Sequence, residues 1–163
     1  MKKVLLLILC AVLAFSFVGC TPSEEAEELV SYINNDLAEL EEYEADFLES
    51  YDSVSGDNYT DDATMYEEFS TNTLDYLTAW EEKATDVAEN IKDSKIAEVH
   101  TIYTSRITKC RNVLVTMLDA LETQDLEKVT KANDMMTEAS ELATEFRSEL
   151  DELAEEYSVE IER

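Results

Sequence analysis

Glycine occurs twice in this 163-residue chain, and proline and histidine once each. Two glycines leave no room for a glycine-rich phosphate loop or a dinucleotide fingerprint. Between Asp57 and Arg163 there is neither Gly nor Pro, which permits long helices and argues against a β-rich fold built on tight hairpins. A single His falls short of the two or more His or Cys ligands that zinc and haem sites usually take. No Ser stands in a nucleophile elbow, so a hydrolytic triad has no support. Positive charge is scarce as well: 12 basic against 39 acidic side chains give a net charge of −27. Phosphate affinity comes from Lys and Arg, so nucleic acid is excluded as a partner. What is present is 45% hydrophobic residues, too many for a disordered acidic tail and enough for a core.

The apolar residues begin at once. Met1-Lys2-Lys3 precedes an apolar stretch from Val4 to Val18, followed by Gly19-Cys20. This is the order of a secretory signal: basic start, apolar middle, small-residue cleavage site. At 15 residues the stretch is shorter than the roughly 20 of a spanning helix, and the acidic sequence after it offers no basic flank to stop transfer. Its end resembles a bacterial lipobox. Gly19 and Cys20 match, Val18 is acceptable, and Phe17 stands where Leu is usual. The resemblance implies a signal peptide over residues 1–19, acylation of the Cys20 thiol and a short tether over residues 20–23. An ordinary cleaved signal with an incidental Cys20 is the alternative. Acyl chains at ~0.8 kcal/mol per buried methylene would hold the protein stably on the outer face of a cell membrane. With the Lys-Lys start and an acidic helical body of 144 residues, the chain also looks like the small helical lipoproteins of low-GC Gram-positive bacteria, a likeness that brings no activity with it.

Processing would remove Lys2, Lys3 and Cys10. Ten basic and 39 acidic side chains then remain, a charge of −29, and Cys110 is the last free thiol. It lies on an apolar face between Ile107 and Leu114, where a buried small hydrophobe is expected rather than a reactive thiol.

Hydrophobic periodicity predicts an all-α domain over residues 24–163. Thr21-Pro22-Ser23-Glu24 reads as a capping box with Pro at the first helical position. The first stripe runs Ala26, Val30, Ile33, Leu37, Leu40, Phe47 and Tyr51, broken at Glu44, which marks either a polar register position or a drift toward solvent. Residues 53–60 have loop chemistry, and Thr60 or Asp61 caps the second helix. Its stripe is Met65, Phe69, Leu77, Trp80, Ala84, Val87 and Ile91. Continued in phase, that stripe would bury Ser94 and Glu98. A new one starts instead at Ile96 and runs through Val99, Tyr103, Ile107, Cys110, Leu114, Met117 and Leu121. A turn is therefore expected at Lys92-Asp93-Ser94, with Asp93 or Ser94 as cap, the alternative being one continuous helix with a phase slip. A second turn at Glu122-Thr123-Gln124-Asp125 leads to the stripe Val129, Ala132, Met136, Ala139, Ala143, Phe146, Leu150, Leu153 and Tyr157. Four helices of roughly 30 residues, each about 45 Å long, joined by short turns, make an antiparallel up-down four-helix bundle the expected architecture.

Residues 24–52 hold twelve acidic and no basic side chains, while 95–122 hold four basic and three acidic. Either the third helix neutralises the first, or Arg106, Lys109 and Arg111 form an anion or partner site. His100 has Ala97 where a di-iron Glu-x-x-His motif needs an acid; the plainer expectation is a hydrogen-bonded His beside Tyr103 or Tyr32, with a latent pH response. Asp57, Asn58, Asp61 and Asp62 are oxygen-rich but lack the order of a calcium loop, which leaves Asp57, Asp61 and His100 as the candidate metal ligands. Met117, Met135 and Met136 suit core packing better than soft-metal binding. Tyr43, Tyr51, Tyr59, Tyr66, Tyr76 and Trp80 divide between core and a potential contact patch. The leading expectation is a non-enzymatic, membrane-anchored interaction module without a cofactor and with a basic protein partner. The alternative is a carrier or sensor for a metal ion or small solute.

Overall fold

The computed structural model describes residues 22–161. The expected signal peptide, lipidation at Cys20 and capping by Thr21 lie outside the described residues. Of the described residues 89% are helical and none is in a strand. Four helices carry the fold: α1 over 24–53, α2 over 62–90, α3 over Ser94–Thr123 and α4 over Leu126–Tyr157. A single 3-10 turn, Gly56–Asn58, lies between α1 and α2. No helix among the described residues is long and apolar enough to cross a membrane.

Each helix starts where a short polar side chain captures free backbone N–H groups. Ser23 accepts from the Ala26 amide at 3.2 Å, so α1 starts at Glu24. This corrects the expected capping box: Pro22 precedes the cap instead of opening the helix, because the extended Ser23 (φ −74°, ψ 161°) is the residue that reaches the amide three positions on. Asp61, not Thr60, caps α2 through the Thr64 amide at 2.9 Å. Asp93 caps α3, accepting from the Lys95 and Ile96 amides at 2.9 Å each. Ile91 has already left the helical region (φ −69°, ψ 128°), so a continuous helix through residues 91–94 is ruled out. The next turn is tighter than expected: Glu122 and Thr123 remain helical, Gln124 alone turns left-handed (φ 54°), and Asp125 caps α4.

Neither α1 nor α2 is α-helical throughout. Each contains a wider π turn, Tyr32–Leu37 and Phe69–Thr73 respectively. The reason lies in the spacing. Buried positions in α2 run Met65, Phe69, Thr73, Leu77, three successive steps of four. In an α-helix each such step overshoots the face by about 40°, and an i→i+5 turn takes up the excess. Leu29, Ile33 and Leu37 follow the same rule in α1, and the widened turn buries Tyr32 and Ile33 together. The first stripe therefore runs through Leu29 and Tyr32, and the expected Val30 is only half-buried.

The core is continuous along all four helices. Trp80, Tyr32, Phe47, Phe69 and a set of Leu and Ile side chains are fully buried, each contributing roughly 1.5–3 kcal/mol over exposure. The largest interface joins α3 to α4, and α2 contacts both α1 and α3. Leu121, Val129, Met136 and Tyr157 from the expected stripes are half-buried at its margin.

Candidate interaction surface

Basic side chains are few, and the structure uses them between helices. Arg106 on α3 donates two hydrogen bonds to Glu44 on α1, Nη1 to Oε2 at 2.8 Å and Nη2 to Oε1 at 2.5 Å. Both side chains are largely buried, 14% and 16% exposed, and the guanidinium carbon lies 5.5 Å from the Trp80 ring centroid. Glu44, the break in the first stripe, is thus a polar register position. Lys109 pairs with Glu138 on α4 at 2.6 Å. Arg111 holds Glu81 on α2 through Nε at 2.6 Å and through Nη2, which also reaches Thr78 Oγ1 at 3.2 Å. The three residues of the expected anion site therefore face three different helices, each already holding a carboxylate. They are not brought together. Neutralisation by the third helix is real but broader than expected, reaching α2 and α4 as well as α1.

The candidate metal ligands are also kept apart. Asp57 is exposed on the 3-10 turn. Asp61 is committed to Thr64, whose amide and hydroxyl hold its carboxyl below the usual range. His100 lies in the core, 2% exposed, with Nε2 2.9 Å from the Ala84 carbonyl and Nδ1 3.0 Å from the Tyr32 hydroxyl. Among the described residues no group of three or more His, Cys, Asp or Glu is arranged to hold a metal ion. Met117 is buried, and Met135 and Met136 pack at the core margin. Of the aromatic residues, Trp80 and Tyr51 are core, Tyr43 and Tyr66 half-buried, and Tyr59 and Tyr76 exposed. Tyr59 and Tyr66 spend their hydroxyls on Asp62 and Glu122.

A surface feature not anticipated from sequence lies between α3 and α4. It is a groove of about 440 Å³ floored by Val99, Ile102 and Leu153 and edged by Lys95, Glu98, Glu149, Glu152 and Glu156. Lys95 bridges to Glu156 at one end. Lys95, Glu98 and Ile102 follow i, i+3, i+7 on α3, and Glu149, Glu152 and Glu156 do so on α4, so each set shares a helix face. That spacing was visible in the sequence, but nothing there showed that the two faces adjoin. Also unanticipated is Glu28 of α1, whose Oε1 accepts from the Lys92 and Asp93 amides at 2.6 and 3.0 Å and so ties α1 to the turn before α3.

No family model, no curated protein and no solved structure matches this chain.

Proposed function

We propose that the chain is a lipid-anchored, extracytoplasmic, non-enzymatic interaction module: an antiparallel up-down four-helix bundle that offers an acidic surface to a basic protein partner. One observation carries this reading. All six ion pairs described join different helices, Glu39–Lys83, Glu44–Arg106, Glu81–Arg111, Lys95–Glu156, Lys109–Glu138 and Asp119–Lys128. Six basic side chains are used in holding helices together, and the large carboxylate excess is left for the surface. Such a field repels anionic lipid head groups and raises the local concentration of basic partners. The groove between α3 and α4 adds apolar floor to acidic edges, the combination a cationic surface with an apolar side chain would fit.

The helix directions in this proposal rest on residue pairs. Between α3 and α4 the numbers rise on one helix as they fall on the other, through Lys95–Glu156, Lys109–Glu138 and Asp119–Lys128. The same holds between α2 and α3 for Ala84–His100, Trp80–Tyr103 and Tyr66–Glu122. Across α1 and α3 they rise together, Tyr32–His100 and Glu44–Arg106, as diagonal helices of an up-down bundle do. The lipid anchor rests on the sequence of residues 1–20, its basic start, apolar stretch and Gly19-Cys20 end.

Cross-linking the native protein in intact cells, with Cys20→Ala as the unanchored control, tests the reading. A discrete basic partner captured with the anchored form is expected, and its purified complex should dissociate as ionic strength rises past about 0.15 M, where charges are screened beyond about 8 Å. Recovery of no partner, or of one indifferent to salt, would refute it.

A further inference from the structure

His100 is a buried titratable group that the interaction reading leaves unused, and its geometry assigns it a task. The Ala84 carbonyl on α2 can only accept, so the ring nitrogen 2.9 Å away, Nε2, carries the proton and donates it. The neutral ring then has its lone pair at Nδ1, and the Tyr32 hydroxyl on α1, 3.0 Å away, donates to it. One imidazole on α3 is thereby hydrogen-bonded to both α1 and α2. It stacks on Tyr103 with ring centroids 6.0 Å apart and meets Tyr32 edge-on at 5.7 Å.

The partner on α1 occupies a special position. Tyr32 opens the π turn Tyr32–Leu37, and π turns are rare and frequent at functional positions. The groups around the ring are few. From α1 come Tyr32 and the carboxylate of Asp36, which favours the charged imidazole. From α2 comes the Ala84 carbonyl, with Lys83 alongside, paired to Glu39 at 2.6 Å. From α3 comes Tyr103, which takes the Trp80 indole N–H at 2.9 Å, packs against the apolar Phe146 of α4 and lies within the field of the Glu44–Arg106 pair.

We propose that His100 is an acid-sensitive latch that holds the first half of α1 against α2 and α3, and that taking up a proton releases it. The cation carries N–H on both nitrogens. Nε2 keeps the Ala84 carbonyl, but Nδ1–H now meets the Tyr32 O–H donor to donor. Tyr32, 1% exposed, must reverse its hydroxyl and re-aim its hydrogen in a site with little water, whereas an opened α1 lets both groups be solvated. Burial lowers the His100 pKa from 6.5 more than the Ala84 bond and Asp36 raise it. The closed form therefore excludes a proton that the open form accepts. The latch is at full strength above pH 6.5 and weakens as pH falls from 6.5 to the depressed value.

Amide hydrogen exchange on the full chain, corrected for intrinsic rates, tests this. Each unit of pKa depression changes the opening constant by about tenfold, so amides of residues 26–37 should lose protection as pH falls from 7.5 to 5, while those around Ile107–Leu114 hold theirs. His100→Gln should abolish that fall. Asp36, whose own pKa burial raises, acts in the opposite sense in both proteins, and only its coupling to His100 goes with the variant. An equal fall in His100→Gln, or no fall in the unaltered chain, would overturn the proposal. The imidazole resonance of the single His gives a reading free of any variant: titration at 6.5 or above with protection unchanged overturns it too. Neither readout involves the lipid anchor or a partner, so the latch and the interaction reading stand or fall separately.

Discussion

Arg106 on α3 grips Glu44 on α1 with both terminal guanidinium nitrogens, and the guanidinium lies over the ring of Trp80. Removing one partner from a desolvated pair is far costlier than replacing both with apolar side chains. Glu44→Ala should destabilise the chain by about 3–5 kcal/mol, because Arg106 is left buried without its carboxylate. Glu44→Leu with Arg106→Met should cost within about 1 kcal/mol of nothing, or stabilise. Urea unfolding measures both, and a double variant as weak as the single would show that Trp80 packing, not charge pairing, dominates the site.

Glu41, one turn before Glu44 on α1, sets a pH dependence of opposite sign to that of His100. Burial, then the nearby Glu44, push its carboxyl up to about 7, with Arg147 pulling against them. A raised carboxyl binds its proton more readily folded than unfolded, so the folded state gains stability as pH falls from about 7 toward the ordinary 4.5. Glu41→Gln should therefore raise the melting temperature at pH 8 by roughly 3–4 °C, about 1 kcal/mol once solvent screening of this half-buried group is allowed for. The difference should shrink as pH falls from about 7 and vanish below 4.5. A pH-independent gain would point to a packing effect instead.

How much of this was legible in the sequence follows from range. Caps are local, and Asp61 and Asp93 were each legible as one of two neighbouring candidates because capping needs only a short polar side chain two or three residues before the amides it holds. The break at Glu44 was visible, but its meaning required Arg106, 62 positions away. His100 could be judged a buried, hydrogen-bonded His from its surroundings, and Tyr32 was one of two candidate partners. The choice between Tyr32 and Tyr103 depended on how α1 turns at the π segment. That segment had a signature in the four-residue steps Leu29-Ile33-Leu37 and Met65-Phe69-Thr73-Leu77, obscured because Thr73, polar and wholly buried, does not look like core. Thr73 is held there by Ser50 Oγ at 2.6 Å, itself bonded to Glu68 at 2.7 Å, a chain that joins α1 to α2.

Scarce glycine leaves its mark at two helix ends, where Gln124 and Ser158 adopt left-handed backbone at φ 54° and 57°. Such a position costs an ordinary residue about 1 kcal/mol relative to Gly. Ser158 is exposed, and the turn around it is closed by the Val159 amide on the Ala154 carbonyl at 2.8 Å. Ser158→Gly should raise stability by about 1 kcal/mol. Gln124→Gly should gain markedly less, because the Gln124 side-chain Nε2 donates to the Asp62 carboxylate and to the Leu121 carbonyl at 3.0 Å each. Thermal unfolding of the two variants side by side checks the ordering, and equal gains would mean that the Gln124 bonds contribute nothing.

Cys110 offers a probe of the core that needs no engineering. It sits on α3, 2% exposed, and burial is the main force pushing its thiol up to about 11. Thiolate is the reacting form, so at pH 8 the folded chain should resist thiol reagents twice over, by access and by ionisation. Once Cys10 has left with the signal and Cys20 is acylated as proposed, any labelling reports Cys110 alone. Its rate should follow opening of the core, rising steeply in urea at the concentrations that unfold the helices. The release proposed for α1 at pH 5 should, by contrast, leave Cys110 protected, because the residues around it on α3 pack on α4 as well. Labelling that accelerates on mild acidification, after correction for the thiolate fraction, would mean that α1 does not open alone and that the latch controls the whole core.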